Sequence, residues 1–261
     1  MTVTDAEFER ELESFRVDAE SAAQFFYAFQ AIHYLSSSDS GVLALMNQAP
    51  MYWNTSNVAL REAMFVALGR VFDPDPQTHN VSRLLKLARD NPALFSKDAL
   101  AARKQGDGER PGWLDEYLEG AHVPDADDWR RLRRYVAAWR RVYDAGYRGI
   151  RHQVVAHRAP LTQQQLDELF GQTSYRELEK LFAFLDSFYR ALWQLYFNGR
   201  RPVLRHRRRS LIQMFATADQ PGALGRTAGE MVARDTRRFF ETHAACRSGQ
   251  QGHWAQGQQA G

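Results

Sequence analysis

Along most of this chain apolar residues recur every three or four positions, which is the period of a helix buried on one side. The clearest stripe is Trp129, Leu132, Val136, Trp139, Tyr143, Tyr147 and Ile150, and it predicts one long helix. Asp125 is placed to cap its start, further acids follow in the opening turn, and Pro160 ends it. A second stripe, Leu178, Leu181, Leu185, Phe188, Leu192 and Leu195, predicts another, capped by Ser174 and Glu177. Between them Thr162 and Gln165 form a capping box, with Leu161 and Leu166 as its staple. Two such helices joined by a short element are expected to pack antiparallel in a helical bundle.

The flanking segments are helical in pattern too. Thr4 and Glu7 form a capping box that opens the first helix, which continues through "SAAQFFYAFQAIHYL". His33 and Tyr34, inside that apolar stretch, read as core residues. "SSSDSG" at 36–41 reads as a loop. Residues 56–73 are apolar nearly all round and predict a central buried helix, stopped by "DPDP" at 73–76. "VSRLLKLARD" and "KDALAARKQ" predict shorter helices, and "GDGERPG" at 106–112 a loop. A further helix is expected at about 222–245, and the Gly- and Gln-rich last fifteen residues are expected to be disordered. With no internal repeat and no run of alternating strands, the expected fold is all-α. It is an antiparallel bundle on two long helices (1–199), then a basic stretch with a C-terminal helix (200–247) and a tail (248–261).

The 261 residues, 44% hydrophobic and 25% charged, are those of an ordinary globular chain. No apolar run approaches the roughly 18 residues of a membrane span. The acidic N-terminus lacks a secretory pattern, and a lone Cys246 excludes an intrachain disulfide framework and a Cys-based zinc site. A cytoplasmic location is therefore expected. The net charge is only +3, but the basic residues are nearly all arginine, with lysine only at 86, 97, 104 and 180. Arginine's planar fork holds two phosphate oxygens at once.

Candidate chemistry concentrates in "YRGIRHQVVAHRAPLT", 147–162, where Arg148, Arg151, His152, His157 and Arg158 surround a Val154–Val155–Ala156 patch. No Gly-rich phosphate loop, His-Glu-x-x-His or serine elbow is present. His152 and His157 are five apart, about 140° around an ideal helix, so they would not share one metal; no metal or cofactor is expected. Arg151 and His157 are about 9 Å apart along an ideal helix and about 120° around it. They would meet only if the helix unwinds before Pro160 or a second copy packs here by a two-fold. Cations near a helix C-terminus are also favoured by the dipole alone, by about 0.3–1 kcal/mol each.

"IRHQVVAHRAP" resembles the signature of HEPN domains, an arginine followed by four to six residues and a histidine near the end of a long helix. "LREAMFVALGRVFDPDPQTHNVSRLL", 60–85, is similar to the corresponding helix of the abortive-infection AbiU-type subgroup, so the resemblance spans about 15–200. It implies a metal-independent endoribonuclease of bacterial defence or toxin–antitoxin systems, working as a homodimer. Arg151 and His157 would be catalytic, with His152, where the family commonly has Asn or Asp, orienting the site or moving a second proton. The alternative is a catalytically silent, dimeric RNA-binding or regulatory scaffold. A DNA-binding regulator is disfavoured because no helix-turn-helix pattern occurs.

Arg148 and Arg158 are candidate RNA contacts, although Arg148 follows Asp144 by four and suits an ion pair equally. Arg70 and Asp73 could support Arg151 or pair with each other. "GRRPVLRHRRRS" packs six arginines into twelve residues. Arg205, Arg207 and Arg208 there are candidates for tracking an RNA backbone; an acidic partner such as an antitoxin protein, or plain solvation, are the other readings.

Overall fold

The computed structural model describes residues 3–156, 162, 164, 165, 168, 173–206, 208, 210–217 and 227–257. Its elements are α1 (Asp5–Ser38), α2 (Ser40–Met46), α3 (Pro50–Val71), α4 (Val81–Asp90), a 3-10 turn (Pro92–Phe95), α5 (Lys97–Gln105) and α6 (Leu114–Glu119). Then come α7 (Ala126–Gly146), α8 (Arg148–Ile150), a π-type turn (Arg151–Ala156), α9 (Tyr175–Asn198), α10 (Leu211–Ala216) and α11 (Ala228–Gly257). No strand occurs among the described residues, and the fold is all-α.

Caps set most of the boundaries. Glu7 accepts from the Thr4 amide at 2.8 Å while its own amide donates to the Thr4 hydroxyl at 3.3 Å, the expected box. Asp125 and Asp128 form a second box at α7, and Thr162 and Gln165 a third. Leu161 and Leu166 lie outside the described residues. Two expectations fail locally. The stretch at 36–41 is not a loop: α1 runs to Ser38, and Asp39 alone breaks it, accepting from the Gly41 amide at 2.7 Å to start α2. One capping aspartate does there what a run of polar residues seemed needed for. Ser174 holds the N-cap position of α9, but its side chain makes no cap bond, and the Glu177 carboxylate accepts from the Tyr147 hydroxyl.

The chain forms two compact units. The first, Met1–Ala19 with Val66–Arg208, carries the two predicted stripes. All their residues are buried except Trp139, which is half-buried and stacks on Phe184 at 5.7 Å. Tyr147 meets Glu177, Trp139 meets Phe184 and Asp128 meets Arg201, so α7 and α9 with its continuation contact in reverse order. Phe8, Phe95, Trp129 and Tyr196 close the other end of this core in an aromatic cluster, Phe95 edge-on to both Phe8 and Trp129. Asp128, wholly buried, gathers His122 at 2.6 Å, Arg131 and, at 3.3 Å, Arg201. Against the cost of burial, bonds from His122, the Asp125 amide and Arg201 hold its carboxyl below the usual range.

The second unit is Glu20–Phe65 with Arg209–Gly261. Trp53 packs on Phe240, and Tyr34 on Phe215, whose carbonyl accepts from Arg237 at 2.7 Å. Gly229 lets α11 approach Tyr27, whose ring carbons lie 2.9 and 3.4 Å from where a Cβ would stand. His33 and Tyr34 are not core residues but stand exposed at the surface, His33 edge-on to Phe29 at 4.4 Å. The α11 backbone runs through Gly257, into the Gly- and Gln-rich stretch.

Candidate functional site

The predicted long helix does not continue unbroken to Pro160. It ends at Gly146; Tyr147 departs to φ −124°, a single turn follows, and Arg151–Ala156 then widen into a π-type turn. Such turns are rare within helices and concentrate at functional sites. Tyr147 is the anchor of the break. It is fully buried, and its hydroxyl donates to Glu177 Oε2 at 3.1 Å and lies 3.4 Å from the Ser174 carbonyl. Burial and the neighbouring carboxylate push its pKa above the ordinary tyrosine value.

Arg151, at the first position of the wide turn, is half-buried. Its side chain lies along α3 at Gly69: a methyl group there would stand 2.6 Å from Arg151 Cδ and 2.9 Å from Cζ. Among the described residues no carboxylate pairs with its guanidinium. The expected supporters behave otherwise. Arg70 turns to Asp18 at 3.3 Å, and Asp73 gives its carbonyl to Arg140. Arg140 bridges three groups, donating to the carbonyls of Phe72 and Asp73 at 2.8 Å each and to the Ser82 hydroxyl at 3.0 Å. It fixes the end of α3 against α7, and with it the surface on which Arg151 rests.

Beside this arginine sits Tyr143, stacked on Phe72 with ring centres 4.8 Å apart. Its hydroxyl is buried and has no hydrogen-bond partner among the described residues. Burial pushes its pKa up to about 12, with the Arg151 charge pulling the other way. Among the described residues, then, neither the Arg151 guanidinium nor the buried Tyr143 hydroxyl has a hydrogen-bond acceptor. Sequence reasoning missed Gly69, Tyr143 and Arg140. The first is a bare position in a helix, the second hides in a core stripe, and the third in a run of arginines.

The other candidates divide. His152 is exposed. Arg148 is within 3.8 Å of Asp144, the ion-pair reading of that residue. His157, Arg158 and Arg207 lie outside the described residues. Arg208 is not a free cation: it pairs at 3.1 Å with the buried Glu179. Arg205 donates its amide to the Ser187 hydroxyl at 2.6 Å, and its exposed side chain pairs with no carboxylate among the described residues. Among the described residues no group of three or more His, Cys, Asp or Glu is placed to hold a metal ion. No helix among them is long and apolar enough to cross a membrane.

Comparison with known proteins agrees with the motif. No curated protein and no solved structure matches the chain. The sequence model of the AbiU2 family of HEPN domains, HEPN_AbiU2, matches residues 5–214. That match covers α1 through most of α10, including the Arg151 turn, Gly69 and the basic stretch, and the chain therefore belongs to the HEPN AbiU2 family.

Proposed function

We propose that this protein is a metal-independent endoribonuclease of the HEPN type, acting in bacterial defence or as a toxin. The observation that carries the reading is Arg151: a half-buried guanidinium, resting on Gly69 and without a carboxylate partner among the described residues, at the start of a π-type turn. Burying a cation without an acid partner is costly unless an anion completes it. RNA brings that anion and its own nucleophile. The ribose 2′-hydroxyl attacks the adjacent phosphorus, losing its proton to His157, while the bond to the 5′-oxygen breaks and that oxygen takes a proton. The products are a 2′,3′-cyclic phosphate and a 5′-hydroxyl. Arg151 neutralises the charge that builds on the phosphate oxygens. His152 is the second proton-transfer or orienting group, and a second copy of the chain completes the cleft.

The test is cleavage of a labelled RNA with analysis of the product ends, in buffer with and without chelator. Wild type should yield cyclic phosphate ends in both. His157→Ala should lower the rate by about 10²–10⁴-fold, and the dimer should persist. RNA binding without cleavage by wild type would identify the chain as an RNA-binding scaffold instead.

A further inference from the structure

After Gly199, whose left-handed backbone (φ 56°) ends α9, the chain doubles back over the core. Three anchors track its course: the Arg205 amide on Ser187, the His206 ring on Tyr135 and Phe184, and Arg208 on Glu179. Each successive anchor lies further toward the start of α9. Residues 200–206 and 208 thus run along α9 toward the end where Glu177 meets Tyr147.

Between this segment and the last turns of α9 lies an open groove of about 430 Å³. Four arginines line it, Arg190, Arg200, Arg201 and Arg205, over a small apolar floor of Ala191 and Val203. Their charge is not spent equally. Arg190 leans on Asp186 at 2.9 Å and Arg201 on Asp128 at 3.3 Å. Arg200 and Arg205 are exposed and pair with no carboxylate among the described residues. A groove with two free and two half-committed guanidinium groups fits a ligand carrying several regularly spaced anionic oxygens. No aromatic ring lines it, so it offers no platform for stacking a base.

We infer that this groove is a second nucleic-acid site, gripping the phosphate backbone of an RNA strand without reading its sequence. The inference rests on the nuclease reading only for the choice of RNA as the strand. Gln194, on the groove wall, is 17 residues along α9 from Glu177, about 25 Å by helix rise. The groove therefore holds a substrate several nucleotides away from the Arg151 turn, and the basic segment marks the path between them. Short oligonucleotides reach one site; longer ones reach both.

Fluorescence anisotropy with a labelled twelve-nucleotide oligouridine, across a salt series, tests this. The full chain carries Arg151→Ala so that no cleavage intervenes. Adding Arg200→Ala and Arg205→Ala should weaken binding by about tenfold or more near physiological salt. The log–log salt slope should fall by about 1.4, two contacts at about 0.7 each for single strands. Neither side chain holds an ion pair among the described residues, so the melting temperature should stay put. Arg205→Lys should keep most of the affinity, and DNA of the same length should bind alike. Unchanged affinity and slope in the double variant would overturn the inference. So would displacement of the RNA by an acidic peptide that binds the same two arginines more tightly, since the groove would then be a protein-docking site. The nuclease reading fails separately. A wild type that binds through the groove yet cleaves nothing leaves this site standing. Cleavage with an unchanged KM for long RNA in the Arg200→Ala, Arg205→Ala variant removes the groove and leaves the nuclease.

Discussion

The Arg151 side chain runs along the backbone of α3 at Gly69, in the space a methyl group would fill. Gly69 is helical, so alanine there would ordinarily stabilise the helix by about 0.5–1 kcal/mol. It would also push against Arg151 Cδ and Cζ, the mobile end of a long side chain that can move aside. Gly69→Ala is thus expected to leave the melting temperature unchanged or slightly raised while cutting RNA cleavage by about 10²-fold, the order of losing one charge-stabilising donor. Thermal unfolding and single-turnover cleavage on the same sample check this. Full activity in the alanine variant would mean that the guanidinium works from some other position.

Tyr143 offers a test in stability and pH. Its buried hydroxyl has no partner among the described residues, so Tyr143→Phe removes an unmet polar group at little cost in shape and should be neutral or stabilising by up to about 1 kcal/mol. The pH dependence has a definite sign. The unfolded tyrosine loses its proton near 10, while in the fold burial holds it until about 12. Its contribution is therefore intact below about pH 10 and is lost as pH rises from there toward 12, about 2–3 kcal/mol in all. Denaturant titrations between pH 9 and 12 should show a shallower alkaline fall for the phenylalanine variant than for wild type. Parallel curves would mean that the hydroxyl ionises in the fold as it does in the open chain.

Asp128 works in the opposite direction. It is wholly buried, and its pKa is held below the ordinary carboxylate value by His122, the Asp125 amide and Arg201 despite the cost of burial. The stability it contributes is present above the unfolded aspartate pKa near 3.9 and is lost as pH falls through its depressed folded value. Asp128→Asn should cost about 3 kcal/mol near neutrality, because Arg131 and Arg201 lose their shared acid. It should also flatten the acid limb of the stability profile. Urea unfolding at pH 7 and pH 3 separates the two effects.

The sequence disclosed what depends on neighbours along the chain and concealed what depends on contacts across it. Lys97–Gln105 is helical over the predicted residues, and the boxes at Thr4, Asp125 and Thr162 close, because a cap involves residues three apart. The stripe of α7 was legible because burial follows the helical period, and the family because the stretch that resembles its signature is short and local in sequence. Gly69 and Arg151, by contrast, are 82 positions apart, and nothing in a glycine inside "ALGRVFD" announces an arginine resting on it. Glu177 looked like a cap until Tyr147, thirty residues earlier, proved to hold it. Arg208 looked like its neighbours in the basic run, and only the fold brings it to buried Glu179.

Arg140 is the most informative of the concealed residues, because it joins stability to the site. Its guanidinium holds the carbonyls of Phe72 and Asp73, just past the end of α3, together with the Ser82 hydroxyl in α4. A lysine reaches one of these acceptors at a time, since its charge is a point and not a planar fork. Arg140→Lys should therefore leave buried carbonyls short of a donor and cost about 1–3 kcal/mol, and Arg140→Met should cost at least as much. The end of α3 carries Phe72, on which Tyr143 stacks, and Gly69, on which Arg151 rests. Loosening it should lower kcat on RNA with little change in the affinity of a short oligonucleotide, whereas a purely structural role would cut the amount of folded protein and leave kcat per folded molecule unchanged. Hydrogen exchange of the residue 66–73 amides distinguishes the two: faster exchange together with a fall in kcat, measured well below the melting temperature, is the expected result.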